Sequence, residues 1–213
     1  MATNLPNSIF IHTPKTAGVW ATAMLQNLPI KSNRYGKIHS TSQEIKDITL
    51  SGLKKPCWGF VRHPLTWYQS YWSHRMLECW EPIVSTLSYS YNLLGFLNLH
   101  TAETADSNFN MHIRRMHTYY PYGFLSTLFA EYVFGCDKIC RFENLYSDFA
   151  DALSVWENID RSELPIVQPL NIIGALREDH YYSDESLNMV MEMEKETIKR
   201  FNYDYIPDDL RRL

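Results

Sequence analysis

The stretch SIFIHTPKTAGVW, residues 8 to 20, constrains the fold of this chain more than any other part of it. Ser8 to His12 is a short apolar run that reads as a buried strand. Thr13, Pro14 and Lys15 break it, and a helical pattern follows from about Ala17 to Leu28, ended by Pro29. Strand, tight loop and helix in that order open an α/β unit. The order then recurs. Cys57 to Val61 (CWGFV) is a second buried run, and Pro64 suits the first turn of a helix reaching about Met76. Ile139 to Phe142 is a third strand, followed by a helix from about Leu145 to Trp156. Strands alternating with helices predict an α/β fold with a central parallel sheet flanked by helices.

The remainder is less sharply marked. Residues from about Glu81 to Phe134 read as mostly helical with weak punctuation. Ser183 can cap a helix whose first turn carries Asp184 and Glu185 and whose apolar positions are Leu187, Val190, Met191, Ile198 and Phe201. That helix reads as scaffold. With no repeat, low-complexity tract or clear linker, residues 1–213 read as a single domain.

Composition narrows the function classes. A 45% hydrophobic, 21% charged chain of 213 residues can bury one good core. A formal charge of −4 argues against a nucleic-acid partner or a polybasic membrane anchor, while leaving room for a local cationic pocket. No apolar stretch approaches the ~18 residues of a membrane span, so no stable membrane insertion is expected. The start MATNLPNSIFIHTPK lacks the pattern of a secretory signal, and no N-x-S/T sequon occurs. Cys57, Cys79, Cys136 and Cys140 are scattered and make no disulfide framework. These features set the expectation of a reduced, cytoplasmic location.

The first loop is the leading candidate site. In open α/β sheets ligands bind beyond the carboxyl ends of the strands. A loop there that enters a helix points backbone N–H groups at an anion, helped by the helix dipole. Lys15 adds a mobile charge, and Ala17 and Gly18 allow close approach to the backbone. A surface turn with an incidental lysine is the alternative for such a loop standing alone. The pattern G-x-x-x-x-G-K-[ST] of nucleoside-triphosphate loops is absent.

Pro14, Lys15, Thr16, Ala17, Gly18 and Trp20 resemble the 5′-phosphosulfate loop of the sulfotransferases that use 3′-phosphoadenosine 5′-phosphosulfate (PAPS). That loop carries Pro-Lys, then small or hydroxyl residues, often ending in Trp, after the first strand. Gly18 and Val19 fall where the family usually offers at least one hydroxyl. The resemblance therefore assigns 5′-phosphate binding to Thr16 and to the backbone N–H groups of Thr16, Ala17, Gly18, Val19 and Trp20. A second segment, GFVRHPLTWYQSYW, resembles the family's 3′-phosphate motif, an Arg after a strand and a Ser eight residues later; here these are Arg62 and Ser70. Arg offers a planar fork of donors to a phosphate, and a serine hydroxyl can complete the shell. A structural ion pair and a small helix residue are the alternative for the two residues. RFENLYSDF (141–149) and LREDHYYSDESL (176–187) extend the likeness, and the latter nominates Arg177 as a further 3′-phosphate contact.

The resemblance implies a P-loop-like sulfotransferase architecture, PAPS as sulfuryl donor and a small-molecule or glycan hydroxyl as acceptor. Its loop style is nearest the heparan sulfate 2-O-sulfotransferase branch, in which a catalytic His lies upstream of the 3′-phosphate strand. His39 holds the comparable place here and is the expected base, and Lys15 the residue that stabilises charge on the bridging oxygen. An exposed loop or helix-cap histidine is the alternative for His39; His74 and His112 are further base candidates without a supporting motif.

Neither His74 with Cys79 nor Cys136 with Cys140 has the doubled spacing of a structural zinc site, so no metal is expected. Trp72, Trp80, Tyr89, Tyr91, Tyr119, Tyr120 and Tyr122 could line an acceptor pocket or serve as core. His112, Arg114, Arg115 and His117 form a basic cluster that would suit an acidic glycan or a solvated helix face. Two other functions stay open: a small-molecule kinase, disfavoured because Arg62 stands where a magnesium-binding Asp is wanted, and a sulfotransferase-like nucleotide binder without catalysis.

Overall fold

The apolar runs become strands where their composition places them, but the sheet they build is mixed. In a computed structural model, residues 2–35, 40–49, 55–77, 101–165, 180–208 and 210 are described. The chain divides into two compact units, one of residues 1–62 and 129–171, the other of residues 63–128 and 172–213.

The first unit holds the sheet. Its strands are β1 (Ala2–Asn4), β2 (Ile9–Ile11), β3 (Asn33–Tyr35), β4 (Cys57–Val61) and β5 (Lys138–Arg141), in the spatial order β3-β1-β2-β4-β5. β2, β4 and β5 are parallel, as expected, with Ile11 level with Gly59 and Val61 level with Arg141. β1, however, runs antiparallel to both β2 and β3, which corrects the expectation of a purely parallel sheet. The reason is local: only Leu5 to Ser8 join β1 to β2, closed by Leu5 N–H donating to Ser8 O at 2.9 Å. A link that short can make a hairpin, whereas a parallel crossover needs a dozen residues or more.

Helix α1 (Gly18–Gln26) follows β2, α2 (Ser42–Thr49) precedes β4, and α6 (Leu145–Glu157) follows β5 through a 3-10 turn, Phe142–Asn144. Alternation along the parallel strands sends Phe10, Trp58, Phe60 and Cys140 to one face. There they pack with Trp20, Ala21, Met24 and Leu25 of α1 and Phe149, Ala152 and Leu153 of α6. Trp58 is fully buried, with its ring centroid 4.8 Å from that of Phe10 and 5.7 Å from that of Phe149. A buried indole needs an acceptor: Trp58 Nε1 donates to Ser8 Oγ at 3.2 Å, which donates to Glu157 at 2.6 Å. On the other face Gly59 admits close packing, since a Cβ there would stand 2.9 Å from Ile11 O and 3.3 Å from Val133 Cγ1.

The second unit is helical in its described residues: α3 (Pro64–Leu77), a single turn at Thr101–Thr104, α4 (Phe109–Tyr119), the opening of α5 (Phe124–Val133), α7 (Asp184–Met193) and α8 (Lys195–Phe201). The helical character expected from about Glu81 to Phe134 holds in the described part, in helices between Thr101 and Val133, while residues 81–100 lie outside the described residues. His63 caps α3: its Nδ1 accepts from Leu65 N–H at 3.2 Å, so Nε2 carries the proton given to Tyr205 O at 2.9 Å. Ser183 caps α7 by accepting from Ser186 N–H, as its sequence context predicts. The single C-terminal helix expected from the apolar spacing is instead two, broken at Glu194. This carboxylate is fully buried and accepts from Tyr68 OH at 2.7 Å and from Leu125 N–H at 2.8 Å, capping the start of α5 from outside. Burial holds the Glu194 carboxyl above the usual glutamate range. No described helix is long and apolar enough to cross a membrane.

Candidate functional site

The loop from β2 into α1 is held in an unusual backbone conformation. Lys15 has φ 62° and Ala17 φ 66°, both in the left-handed region that non-glycine residues seldom enter. Each costs on the order of 1–2 kcal/mol relative to a right-handed residue. Left-handed residues next to right-handed ones turn successive N–H groups toward a common centre, a concavity suited to an anion. Ala17 is also the N-cap of α1 and offers no side chain to the helix's first N–H groups. The first turn contains no acidic residue, so the positive end of the helix dipole is not offset there.

The side chains of the loop are not all disposed as the resemblance implies. Thr16 is buried, and its Oγ1 donates to Thr13 O at 2.9 Å, closing the loop on itself. That hydroxyl proton is therefore engaged, and what Thr16 presents as a donor is its backbone N–H. Trp20 turns into the core, edge-on to Phe149 with ring centroids 5.2 Å apart. Val19 stays exposed. Gly18 has a reason that its sequence context hides: a Cβ there would fall 1.9 Å from His12 Cδ2 and 2.1 Å from His12 Nε2. The imidazole of His12 thus lies against the first residue of α1, and close approach at Gly18 serves this ring. Thr13 Oγ1 is buried without a hydrogen-bond partner among the described residues.

Arg62, at the end of β4, belongs to the same unit and is tied to this loop. Its Nη1 donates to the carbonyl of Lys15 at 3.3 Å, and its guanidinium carbon lies 4.1 Å from the centroid of the Phe142 ring. Lys15 and Arg62 are therefore brought together by the parallel pairing of β2 with β4, and Phe142 by that of β4 with β5. The sequence reading missed Phe142 and His12; their adjacency to Arg62 and Gly18 comes only from strand register and loop path.

Ser70 belongs to the second unit, on α3, where it is partly exposed and its hydroxyl makes no hydrogen bond among the described residues. His39 and Arg177 lie outside the described residues, as do Trp80, Tyr89 and Tyr91. Helix α2 carries a capping box: Glu44 N–H donates to Thr41 Oγ1 at 3.2 Å, and Thr41 N–H to Glu44 at 3.0 Å.

Several other candidates are accounted for by packing. His112 is fully buried, its Nδ1–H donates to Thr104 O at 2.7 Å, and burial lowers its pKa to about 4. It is neutral at neutral pH and walled off from solvent, unsuited to the role of base. Arg114 pairs with Glu185, and Arg115 with Asp106 at 3.0 Å, so the basic cluster is balanced by carboxylates of its own unit. Cys140 is buried and its thiol pushed up to about 12, chiefly by desolvation, so it is no nucleophile at neutral pH. Among the described residues no three His, Cys, Asp or Glu side chains converge as metal ligands.

Compared with protein-family models, with curated proteins and with solved structures, the chain matches none.

Proposed function

We propose that this chain transfers a sulfuryl group from PAPS to an acceptor hydroxyl on a small molecule or glycan. The observation that carries the reading is the β2–α1 loop: left-handed Lys15 and Ala17 around Thr16, an uncapped helix start, and Arg62 drawn onto the Lys15 carbonyl. A loop of this kind, entering a helix at the carboxyl edge of parallel strands, suits a phosphate-sized anion. The motif likeness of residues 14 to 20 and of Arg62 and Ser70 then favours a phosphosulfate over a triphosphate.

In the proposed reaction the acceptor oxygen bonds to sulfur as the bond from sulfur to the bridging phosphate oxygen breaks. A sulfate ester and 3′,5′-adenosine bisphosphate are released, and the acceptor's proton goes to a base, for which we propose His39. The N–H groups of residues 16 to 20 hold the 5′-phosphate, and the Lys15 ammonium stabilises the charge that develops on the bridging oxygen. Arg62, Ser70 and Arg177 are assigned the 3′-phosphate by the family likeness.

The test is transfer of labelled sulfuryl from PAPS to glycan, phenol and alcohol acceptors, run beside Lys15→Ala. The reading expects an acid-labile sulfate ester whose formation Lys15→Ala abolishes. Phosphoryl transfer from ATP with magnesium, or sulfuryl transfer indifferent to Lys15→Ala, would overturn it.

A further inference from the structure

The 3-10 turn after β5 brings an aromatic ring to the anion loop. Phe142 is half-buried, and its ring lies 4.1 Å from the guanidinium carbon of Arg62, within the range of a cation–π contact. The same guanidinium reaches the Lys15 carbonyl with Nη1, at 3.3 Å. Lys15 is one of the two left-handed residues that shape the loop. A left-handed lysine persists only where its surroundings over-determine it, and a donor on its carbonyl is one such constraint. Ring, guanidinium and carbonyl thus form a chain of contacts from the end of β5, through the end of β4, to the loop after β2.

We propose that Phe142 is a positioning residue for the anion loop: its ring holds the Arg62 guanidinium so that it latches the Lys15 carbonyl and keeps the loop's N–H groups convergent. The contact is suited to this task. A ring face restrains a planar cation without competing for its N–H donors, so the fork stays oriented in its own plane. A carboxylate in the same place would neutralise the charge that an anion site needs. The inference rests on the reading of the β2–α1 loop as an anion site, but the latch itself can be tested with no ligand present.

The experiment is amide hydrogen exchange of Ala21, whose N–H donates to Ala17 O at 3.0 Å at the end of the loop, joined to calorimetric binding of 3′,5′-adenosine bisphosphate, in Phe142→Leu, Phe142→Tyr, Arg62→Lys and the double variant Phe142→Leu/Arg62→Lys. Phe142→Leu is expected to speed loop exchange on the order of tenfold and to weaken binding about fivefold, the loss of one partly exposed cation–π contact. Phe142→Tyr keeps a ring face and restores both. Arg62→Lys loses the planar fork and speeds exchange like Phe142→Leu, and the double variant is no worse than Arg62→Lys alone. Exchange and binding unchanged in Phe142→Leu, a tyrosine as defective as leucine, or additive effects of the two substitutions would each overturn the latch. If exchange follows this pattern while the wild-type chain binds no adenosine bisphosphate, the positioning role stands and the cofactor reading falls.

Discussion

Gly18→Ala tests the packing beneath the candidate site. At an exposed helix position this substitution stabilises, because alanine exceeds glycine in helix propensity by ~1 kcal/mol. Here the new Cβ would stand 1.9 Å from His12 Cδ2, 2.1 Å from Nε2 and 2.4 Å from Cγ, against an ordinary contact of 3.4–4 Å. The imidazole must then move by about 1.5 Å or α1 must shift on the sheet. Overpacking of this kind costs about 1–3 kcal/mol. The sign of the usual effect is thereby reversed, and the melting temperature should fall by roughly 2–12 °C for a chain of this size. The assay is thermal or urea unfolding of the four members of a double-mutant cycle with His12→Ala. In the His12→Ala background the clash partner is gone, so Gly18→Ala should become neutral or stabilising, a coupling of at least ~1 kcal/mol. Destabilisation by Gly18→Ala equal in both backgrounds would refute the assignment of the glycine to the His12 ring.

Other substitutions separate stability from function. Lys15→Gly should raise stability by about 1 kcal/mol, through relief of the left-handed backbone, while lowering turnover by about 10²-fold or more through loss of the ammonium. A glycine variant that is both less stable and fully active would contradict each half. His63→Ala should cost about 1–2 kcal/mol in urea unfolding by removing the cap of α3, and His63→Asn should recover part of it; equal losses would sink the cap assignment. His112 gives a pH dependence with a definite sign. Its folded pKa is about 4 against an ordinary 6.5, so the unfolded chain binds the proton more tightly over that window. Its contribution to stability is present above pH ~6.5 and is lost as pH falls toward ~4, by about 3 kcal/mol. His112→Asn keeps a donor for Thr104 O and should flatten that slope in unfolding measured from pH 4 to 7; an unchanged slope would remove His112 as its cause.

Much of this architecture is legible in the chain because buried parallel strands are continuous apolar runs ended by breakers. IFI, CWGFV and KICR could each be placed within about two residues, and Pro64 marked the start of α3. β1 and β3 were not legible, since ATN and NRY have no apolar alternation and form strands only because the sheet offers them an edge. The break at Glu194 was hidden for a related reason: a glutamate in a helical pattern reads as solvated, and nothing local says that it caps α5. At the site, the cluster of Lys15, Thr16, Ala17 and Gly18 at a strand end was readable. The direction of each side chain was not. Thr16 Oγ1 folds back on Thr13 O, Trp20 enters the core, and Gly18 faces His12, all consequences of left-handed turns at Lys15 and Ala17 that no residue type announces. Phe142 was invisible for a different reason, since it lies 80 positions from Arg62 and meets it only through the register of β4 with β5.

Calorimetric titration decides whether the proposed donor site takes a 3′-phosphorylated adenosine phosphate. The titrants are 3′,5′-adenosine bisphosphate, 5′-AMP and ATP with Mg²⁺, each against the wild-type chain and Arg62→Ala. Tight binding that requires the 3′-phosphate is expected, weakened by about 10²-fold in Arg62→Ala, the loss of a charge-assisted pair. Preference for ATP with Mg²⁺, or affinity for the bisphosphate no better than for 5′-AMP, would contradict it.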